Sequence, residues 1–262
     1  MSYRGYEQLV VEQQGKLLVV KFNNPRKKNC INRSAYQEIT RVLTEVNGDE
    51  GVAILVFTGV GEYFTAGNDL SQSGQTDDIN EFLRQSNAIF KAMVLSFVNC
   101  KKVVIALVNG PAIGIGATIV GLSDVAWCSD TAYFLAPFTK LGLVPEGGSS
   151  FMFPFILGRS KASEVLLLNE PLSASEAYHF NFVSRIYKSN EVDSVIWPKL
   201  RQYAELPPNS LLQGKRLINE GFLESLLKAN DSECRQLLES FQHPEFFQAI
   251  MDFASRKSQS KL

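Results

Sequence analysis

The sequence predicts an α/β protein whose strands are buried in a layered sheet. Three observations carry this. Leu17-Leu18-Val19-Val20-Lys21-Phe22, Val52 to Thr58 and Val103 to Val108 are β-rich runs of strand length, and the last two hold no charge, as strands covered on both faces should. Between the first two, Tyr36, Ile39, Leu43 and Val46 recur at helical spacing. From about Val192 onward the pattern is helical, with Leu206-Pro207-Pro208-Asn209 as its main break. Strand, helix and buried strand in that order belong to sheet-and-helix layers.

Taken in order, Leu9-Val10-Val11 and Leu17 to Phe22 flank Gln14-Gly15, which predicts a hairpin. The polar loop Asn23-Asn24-Pro25-Arg26-Lys27-Lys28-Asn29 follows. Its adjacent cations make it either a solvated turn or a grip on a phosphate-bearing ligand. Ser34-Ala35-Tyr36-Gln37 has the form of a capping box opening the first helix. The strand Val52 to Thr58 runs into Gly59-Val60-Gly61-Glu62-Tyr63-Phe64-Thr65-Ala66-Gly67-Asn68-Asp69-Leu70. Ala66 and Gly67 let that backbone approach something closely and leave the Asn68 amide free to point at it. The alternative, a simple surface loop, has no need of small residues between Phe64 and Leu70.

Ser71 to Asp78 reads as a mobile loop, and the helix beyond it turns Phe82, Ile89, Phe90, Met93 and Phe97 inward. Asn109-Gly110-Pro111-Ala112 then turns the strand Val103 to Val108 into a helix that opens Gly114-Ile115-Gly116-Ala117-Thr118. Ile119 stands where a dinucleotide fingerprint needs its third glycine, and no Gly-Lys-Ser/Thr follows for a phosphate-binding P-loop. What remains is a glycine-rich helix start, whose unpaired amides favour negative charge. A strand at Val125 to Cys128, a helix around Ser160 to Leu168, a capping box at Ser173-Ala174-Ser175-Glu176 and a strand over Phe182 to Tyr187 complete the α/β part.

Composition narrows the function classes. The 262 residues are 45% hydrophobic and 20% charged with a formal net charge of -1, which suits one large domain or a domain with an appendage. Near-neutrality gives no reason to expect nucleic acid or an anionic membrane as partner. Cys30, Cys100, Cys128 and Cys234 are scattered with no CxxC pair, so free thiols are expected and a metal site is not. His179 and His243, the two histidines, sit among ordinary surface residues, which argues against a hydrolytic triad. Val103 to Ser123 is uncharged, yet Asn109-Gly110-Pro111 interrupts it, so it is a buried strand, a turn and a buried helix rather than a membrane span. Ser260-Lys261-Leu262 has the form of the peroxisomal import address and predicts delivery to the peroxisomal matrix by its import receptor.

One side chain stands apart chemically. From Leu141 to Leu157 the only ionisable group is Glu146, set among Leu143, Val144, Phe151, Phe153, Phe155 and Ile156, on the turn Pro145-Glu146-Gly147-Gly148. A carboxylate in apolar surroundings loses hydration and becomes a better proton acceptor. The alternative is an exposed glutamate on a Pro-Gly loop. A single base together with two free amides, near Asn68 and near Ile115, forms a set suited to proton abstraction α to a carbonyl, the amides making an oxyanion hole.

Ala66-Gly67-Asn68-Asp69-Leu70, with Ile105 to Val108 and Asn109-Gly110-Pro111-Ala112-Ile113-Gly114, resembles the crotonase (enoyl-CoA hydratase/isomerase) superfamily, from about Gln8 into the C-terminal helices. The resemblance implies a spiral of ββα units over residues 1–200 and a helical region over 201–262 used for packing as a trimer or a dimer of trimers. It also implies an acyl-CoA thioester as ligand. The thioester oxygen would sit between the amides of Asn68 and Ile115. Ala66, Gly67, Asn68, Asp69, Leu70 and Phe138 would line the substrate pocket, with Arg26, Lys27 or Lys28 near the CoA phosphates.

Hydratases of this superfamily use two glutamates to manage water. The corresponding positions hold Thr118 and Phe138, which cannot act as bases, so hydration is disfavoured. Pro145-Glu146-Gly147 is instead similar to the peroxisomal Δ3,Δ2-enoyl-CoA isomerases, whose single glutamate lies at this place. No metal or redox cofactor is then expected, CoA being part of the substrate. A Gln-Ser pair common before Pro-Glu-Gly in those isomerases is Leu143-Val144 here, and the chain begins directly at the crotonase-like part, without the acyl-CoA-binding module that many relatives carry. The alternative from another class is a non-catalytic acyl-CoA- or protein-binding module of the same fold. A dienoyl-CoA isomerase would need further acidic residues in the pocket, and the sequence marks no second one.

Overall fold

The computed structural model describes residues 3–69 and 78–259. Its centre is a six-stranded sheet of β1 (Leu9–Gln14), β2 (Leu17–Phe22), β3 (Ile54–Gly59), β4 (Val103–Val108), β6 (Val125–Ser129) and β9 (Arg185–Tyr187), in that spatial order. Only the β1–β2 hairpin is antiparallel; each later neighbour pairs in parallel. A second, three-stranded sheet holds β5 (Ala112–Ile113), β7 (Tyr133–Leu135) and β8 (Leu172–Ser173).

The uncharged strands follow from burial on both faces. Leu18, Val20, Leu55, Phe57, Val104 and Ala106 enter one core, while Leu17, Val19, Ile54, Val56, Ile105 and Leu107 enter the other. Successive side chains point to opposite faces, so both sets must be apolar and no polar alternation survives. The first core is covered by α1 (Arg33–Glu45), α2 (Ile79–Val98) and α3 (Ile115–Leu122); the second by α7 (Trp197–Ala204), through Leu200 and Ala204. Burial at this scale, about 25 cal/mol per Å² of apolar surface, is the main favourable term in folding.

Several expectations are corrected. The first helix is capped by Asn32, whose side chain accepts from Ala35 N at 2.8 Å, and Ser34 lies inside the first turn. An Asn carboxamide reaches the orphan amides as well as a serine hydroxyl does. On α2 the buried face is Leu83, Asn87, Phe90, Met93, Val94 and Phe97, leaving Phe82 and Ile89 half-buried. The strand expected over Phe182 to Tyr187 shortens to β9, because Phe182 and Val183 pack into the first core instead. An additional helix, α4 (Ser149–Leu157), escapes sequence reading because Pro154 lies inside it. The loop expected over Ser71 to Asp78 lies, up to Asp77, outside the described residues, as do Leu70 and Ser260-Lys261-Leu262.

After α5 (Arg159–Leu167) and α6 (Ala174–His179), which carries the predicted box on Ser173, come α7, α8 (Pro208–Glu220), α9 (Leu223–Ser240) and α10 (Pro244–Gln259). The polar segment expected at Ser255 to Gln259 is the end of α10. Helix α9 packs on α2 and α4, and α10 packs on the turn Thr139–Leu141. Among the described residues no helix is long and apolar enough to cross a membrane.

Helix α8 is tied to the sheet by Lys215, whose buried ammonium lies 2.7 Å from Asp124 Oδ2 and donates to Lys102 O at 2.8 Å. Asp124 Oδ2 also accepts from Val104 N at 2.7 Å. Removing one member of a buried pair leaves the other uncompensated. Lys215→Met is therefore expected to destabilise by about 2–4 kcal/mol. A lower urea midpoint at unchanged slope is the readout, and an unchanged midpoint contradicts it.

Candidate active site

Strands β3 and β4 are parallel neighbours, and the loops leaving their carboxyl ends meet. In open parallel sheets this end is where ligands bind. The loop after β3 is fixed by side chains as well as by two isolated parallel bridges, Ile31 to Asn68 and Thr65 to Ala112. Asn29 Nδ2 donates to Val60 O (2.9 Å) and Tyr63 O (2.7 Å), and Asn109 Nδ2 donates to Gly61 O (2.7 Å). Thr65 Oγ1 donates to Asn29 O (2.7 Å) and accepts from Gly67 N (3.0 Å). Ile31 N donates to Gly67 O (2.8 Å) and accepts at its carbonyl from Asp69 N (2.9 Å), so the N–H of Asn68 between them faces the other way. Gly67 has φ +86°, and a Cβ there would stand 2.7 Å from Ile113 O; only glycine lets this loop lie against the next.

The second loop, after β4, closes with Gly114 N donating to Leu135 O (2.7 Å) and enters α3 at Ile115. Amides of a helix's first turn have no partner inside the helix. Among the described residues, neither Asn68 N nor Ile115 N donates to any acceptor. Both residues line one cavity of about 870 Å³, together with Glu146. Two unpaired amides and a carboxylate thus share a concave, water-accessible space.

Glu146 is half-buried because its carboxylate opens onto that cavity and onto an apolar pocket of about 100 Å³ walled by Tyr36, Phe90, Leu143, Leu237 and Phe241. No hydrogen bond or ion pair reaches the carboxylate among the described residues. Burial first, and the negative charge of Glu233 second, push its pKa up to about 8. The expected apolar neighbours are mostly the wrong ones. Phe151, Phe153, Phe155 and Ile156 lie on α4 away from both cavities, and Phe155 is 63% exposed. Of the neighbours expected from the sequence, Leu143 alone lines the cavities with Glu146; the remaining walls come from elements remote in sequence. Gly147 has φ +69°, and a Cβ there would lie 2.5 Å from Thr118 Oγ1, so the turn carrying Glu146 is pressed onto α3.

A family model described as Enoyl-CoA hydratase/isomerase matches residues 12–260. The chain belongs to that family. It is 37% identical over 250 residues to "Enoyl-CoA delta isomerase 2" of Rattus norvegicus, covering 95% of this chain and 64% of the relative, so it spans just under two thirds of that protein. To "Enoyl-CoA delta isomerase 3, peroxisomal" of Mus musculus it is 35% identical over 260 residues, covering 99% of this chain and 82% of the relative. A crystal structure of an enoyl-CoA hydratase/isomerase from Pseudoalteromonas atlantica T6c superposes with a TM-score of 0.86 at 29% identity, covering 95% of this chain and 98% of that one. The crotonase-like α/β fold expected from the motifs is the fold of this family member.

Within this family member the expected site residues divide. Ala66, Gly67, Asn68, Ile115, Phe138 and Glu146 all line the larger cavity, and Asp69 lines the apolar pocket. Leu70 lies outside the described residues. Of the basic loop, Lys28 lines the cavity, with its ammonium 4.9 Å from the Tyr63 ring centre. Arg26 and Lys27 do not line it; Lys27 is exposed and pairs with Asp69 Oδ2 at 3.2 Å. Thr118 is buried with its hydroxyl donating to Ile115 O at 3.1 Å.

Sequence reasoning missed three contributors. Tyr36, expected only as part of an apolar helix face, lines the pocket beside Glu146. Leu237, Phe241, Phe246 and Ile250 bring the C-terminal helices over the same pocket. Glu233, from α9, is a second buried carboxylate, although it lines neither cavity. One signal was readable: Leu226, Asn230, Glu233 and Leu237 recur at helical spacing, which puts a glutamate on an inward face.

The protonation of Glu146 has a stability consequence. Its folded pKa lies above the unfolded value, so between about 4.5 and about 8 the native state binds more protons than the unfolded one, and stability falls as pH rises through that window. Glu146→Gln removes the effect. Relative to wild type, the variant is expected to gain on the order of 2 kcal/mol at pH 9 and much less at pH 5.5. Urea denaturation at both pH values measures this, and an equal difference at the two would contradict it.

Proposed function

We propose that the protein is a Δ3,Δ2-enoyl-CoA isomerase, moving the double bond of a 3-cis- or 3-trans-enoyl-CoA to the 2-trans position. The observation carrying this is the cavity shared by one unpaired carboxylate, Glu146, and two unpaired amides, Asn68 N and Ile115 N. Family membership and the printed names of the rat and mouse relatives support the same reading.

The chemistry needs little more. With the thioester oxygen between the two amides, Glu146 takes a proton from C2, and the resulting dienolate carries its negative charge on that oxygen. Amides already aimed at the oxygen stabilise the charge without reorganisation, a contribution of roughly 3–4 kcal/mol per donor. Protonated Glu146 then delivers the proton to C4, leaving the double bond conjugated with the thioester. Proton count is unchanged, so no water is consumed. A carboxylate with pKa near 8 suits both halves, because it accepts the proton readily and holds it until C4 is reached. Hydration, by contrast, would require a base to activate water. Thr118 spends its hydroxyl on Ile115 O, and Phe138 has no proton-accepting group.

The rest of the reading is of one piece with this. The acyl chain enters the apolar pocket beyond Glu146, CoA occupies the larger cavity near Lys28, and CoA is the only cofactor-like group, as part of the substrate. Residues 1–200 carry the base and both amides, and the helices beyond them complete the pocket wall through Leu237, Phe241, Phe246 and Ile250. Residues 201–262 mediate assembly as a trimer or a dimer of trimers, a role supported by the exposed Leu217 and Ile218 of α8. The site of action is the peroxisomal matrix in the β-oxidation of unsaturated fatty acids, a location supported by the printed name of the mouse relative.

With 3-hexenoyl-CoA the intact protein is expected to produce a rise in conjugated-enoyl absorbance, and Glu146→Gln to lower kcat by about 10³-fold or more. The acid limb of kcat/KM is expected to rise with pH to a midpoint near 8, since the base works only when ionised. Tight acyl-CoA binding without turnover would overturn the isomerase in favour of a binding module. For location, a fluorescent fusion is expected to lose its punctate peroxisomal distribution when Ser260-Lys261-Leu262 is deleted. A distribution unaffected by the deletion would sink that assignment.

A further inference from the structure

Glu233 is a buried carboxylate close to the candidate site that the proposed mechanism does not use. It stands on the inward face of α9, 5% exposed, and its two oxygens are both engaged. Oε2 accepts from Gly148 N at 2.7 Å and Oε1 from Ser150 N at 2.8 Å. These amides belong to the N-terminus of α4, whose cap residue, Gly148, has no side chain to satisfy them. Glu233 does so from another helix. Burial pushes the Glu233 carboxyl above the ordinary carboxylate range, while the two short charge-assisted bonds and the positive end of the α4 dipole work the other way, toward the ionised form. The same bonds pin the end of the Pro145–Gly148 turn, on which Glu146 rides.

Burial raises the pKa of both carboxyls, and they differ in their donors and in their access to a cavity. One has two amide donors and no access to a cavity; the other has a cavity and no donor. Of two buried acids, the one that accepts from backbone amides ionises before the one that has no donor. We propose that Glu233 is a positioning residue for Glu146: held ionised by the N-terminus of α4, it fixes the turn and presents the base with a permanent neighbouring negative charge. This rests on the reading of Glu146 as the catalytic base.

Across the larger cavity Glu146 meets Glu245 and Asp252 of α10 together with Lys28 and Lys140, two anions against two cations, and the other groups facing the pair do not supply that charge either. From α1 come the phenol of Tyr36, which burial keeps protonated, and the cation Arg33 on the pocket wall. From α9 comes the Cys234 thiol, pushed up to about 12 and so neutral. Lys91 of α2 and Asp231 of α9 offset one another as an ion pair at 2.7 Å, and Asp69 is offset by Lys27. Helices α3 and α4 carry no ionisable side chain.

The test separates charge from shape. Glu233→Gln keeps the size and removes the charge, whereas Glu233→Asp keeps the charge and shortens the reach. The carboxyl of Glu146 is titrated by 13C NMR in the free protein, its signal assigned by loss in Glu146→Gln, and the pH profile of kcat/KM is recorded in parallel. In Glu233→Gln the Glu146 midpoint is expected to fall by about one pH unit, a tenfold loss of proton affinity, and the acid limb to move with it. In Glu233→Asp the midpoint is expected to stay within a few tenths of a unit of wild type while kcat falls roughly tenfold, the sign of a displaced turn with its charge retained.

An unmoved midpoint in folded Glu233→Gln overturns the proposal. Should Glu233→Gln fail to fold, Glu233→Asp decides: a Glu146 midpoint dropping to the ordinary carboxylate range overturns the proposal, and a retained one supports it. The NMR titration needs no substrate. A shifted midpoint in a protein that never isomerises would therefore sink the isomerase reading while leaving the coupling of the two glutamates intact. Normal turnover with an unshifted midpoint would do the reverse.

Discussion

A half-buried carboxylate held among apolar side chains without a hydrogen-bond donor or a cation is the constraint around which this molecule is arranged. Left alone, such a group is neutralised by protonation or drawn toward solvent. Here the surrounding chain forbids the escape and leaves the first response available. Pro145 limits the backbone on one side of Glu146, Gly147 is pressed against Thr118 on the other, and α9 holds the following amides through Glu233. The turn cannot swing outward without breaking two buried charge-assisted bonds, each worth more than a neutral pair. What results is a side chain whose charge state, rather than its position, is free to change.

That arrangement has meaning only because two other stretches arrive at the same cavity. Parallel strands deliver their following loops to one edge of the sheet, so the segments after β3 and β4 become neighbours although far apart in the chain. Each brings a main-chain N–H rather than a side chain. A backbone donor needs no rotamer to be fixed, and its direction is set by the same bonds that hold the loop: Asn29, Asn109 and Thr65 on one side, the first turn of α3 on the other. Precision at the site is thus a property of the fold's own hydrogen bonding, and this is why asparagines and a threonine with no direct chemical role stand where they do.

The legibility of the parts in the sequence follows the same division. Strands buried on both faces announce themselves as uncharged runs, and so β3 and β4 are read at almost their true bounds. Glu146 is visible because it is isolated within its own segment, and Gly67 because small residues stand between Phe64 and Leu70. What was hidden is whatever depends on long-range contact. Nothing near Leu143 tells that α9 and α10 fold over the pocket, and the flanking phenylalanines of α4 suggest an apolar nest that in fact is built by Tyr36, Phe90, Leu237 and Phe241. Glu233 is an intermediate case: its helical face is readable, but its partners, two backbone amides on another helix, leave no trace in residue type.

The contrast between the two glutamates also explains why the family's hydratase chemistry and isomerase chemistry place different demands on one cavity. Adding water requires a second proton-handling group on the cavity wall, because one group must activate the water while another manages the proton at the neighbouring carbon. A 1,3-proton shift requires only that one group change charge state twice. In this chain Thr118 lines neither cavity and is bonded to Ile115 O, the cavity-lining Phe138 has no proton-accepting group, and the buried Glu233 is turned away from the cavity into the N-terminus of α4. Both of its oxygens are taken by the amides of Gly148 and Ser150, so its carboxyl is not offered to the cavity. Under the proposed mechanism, a carboxyl bonded behind the wall and a mobile proton in front of it is the division of labour for a single shuttling base, and moving Glu233 to the front would change the class of reaction the cavity can support.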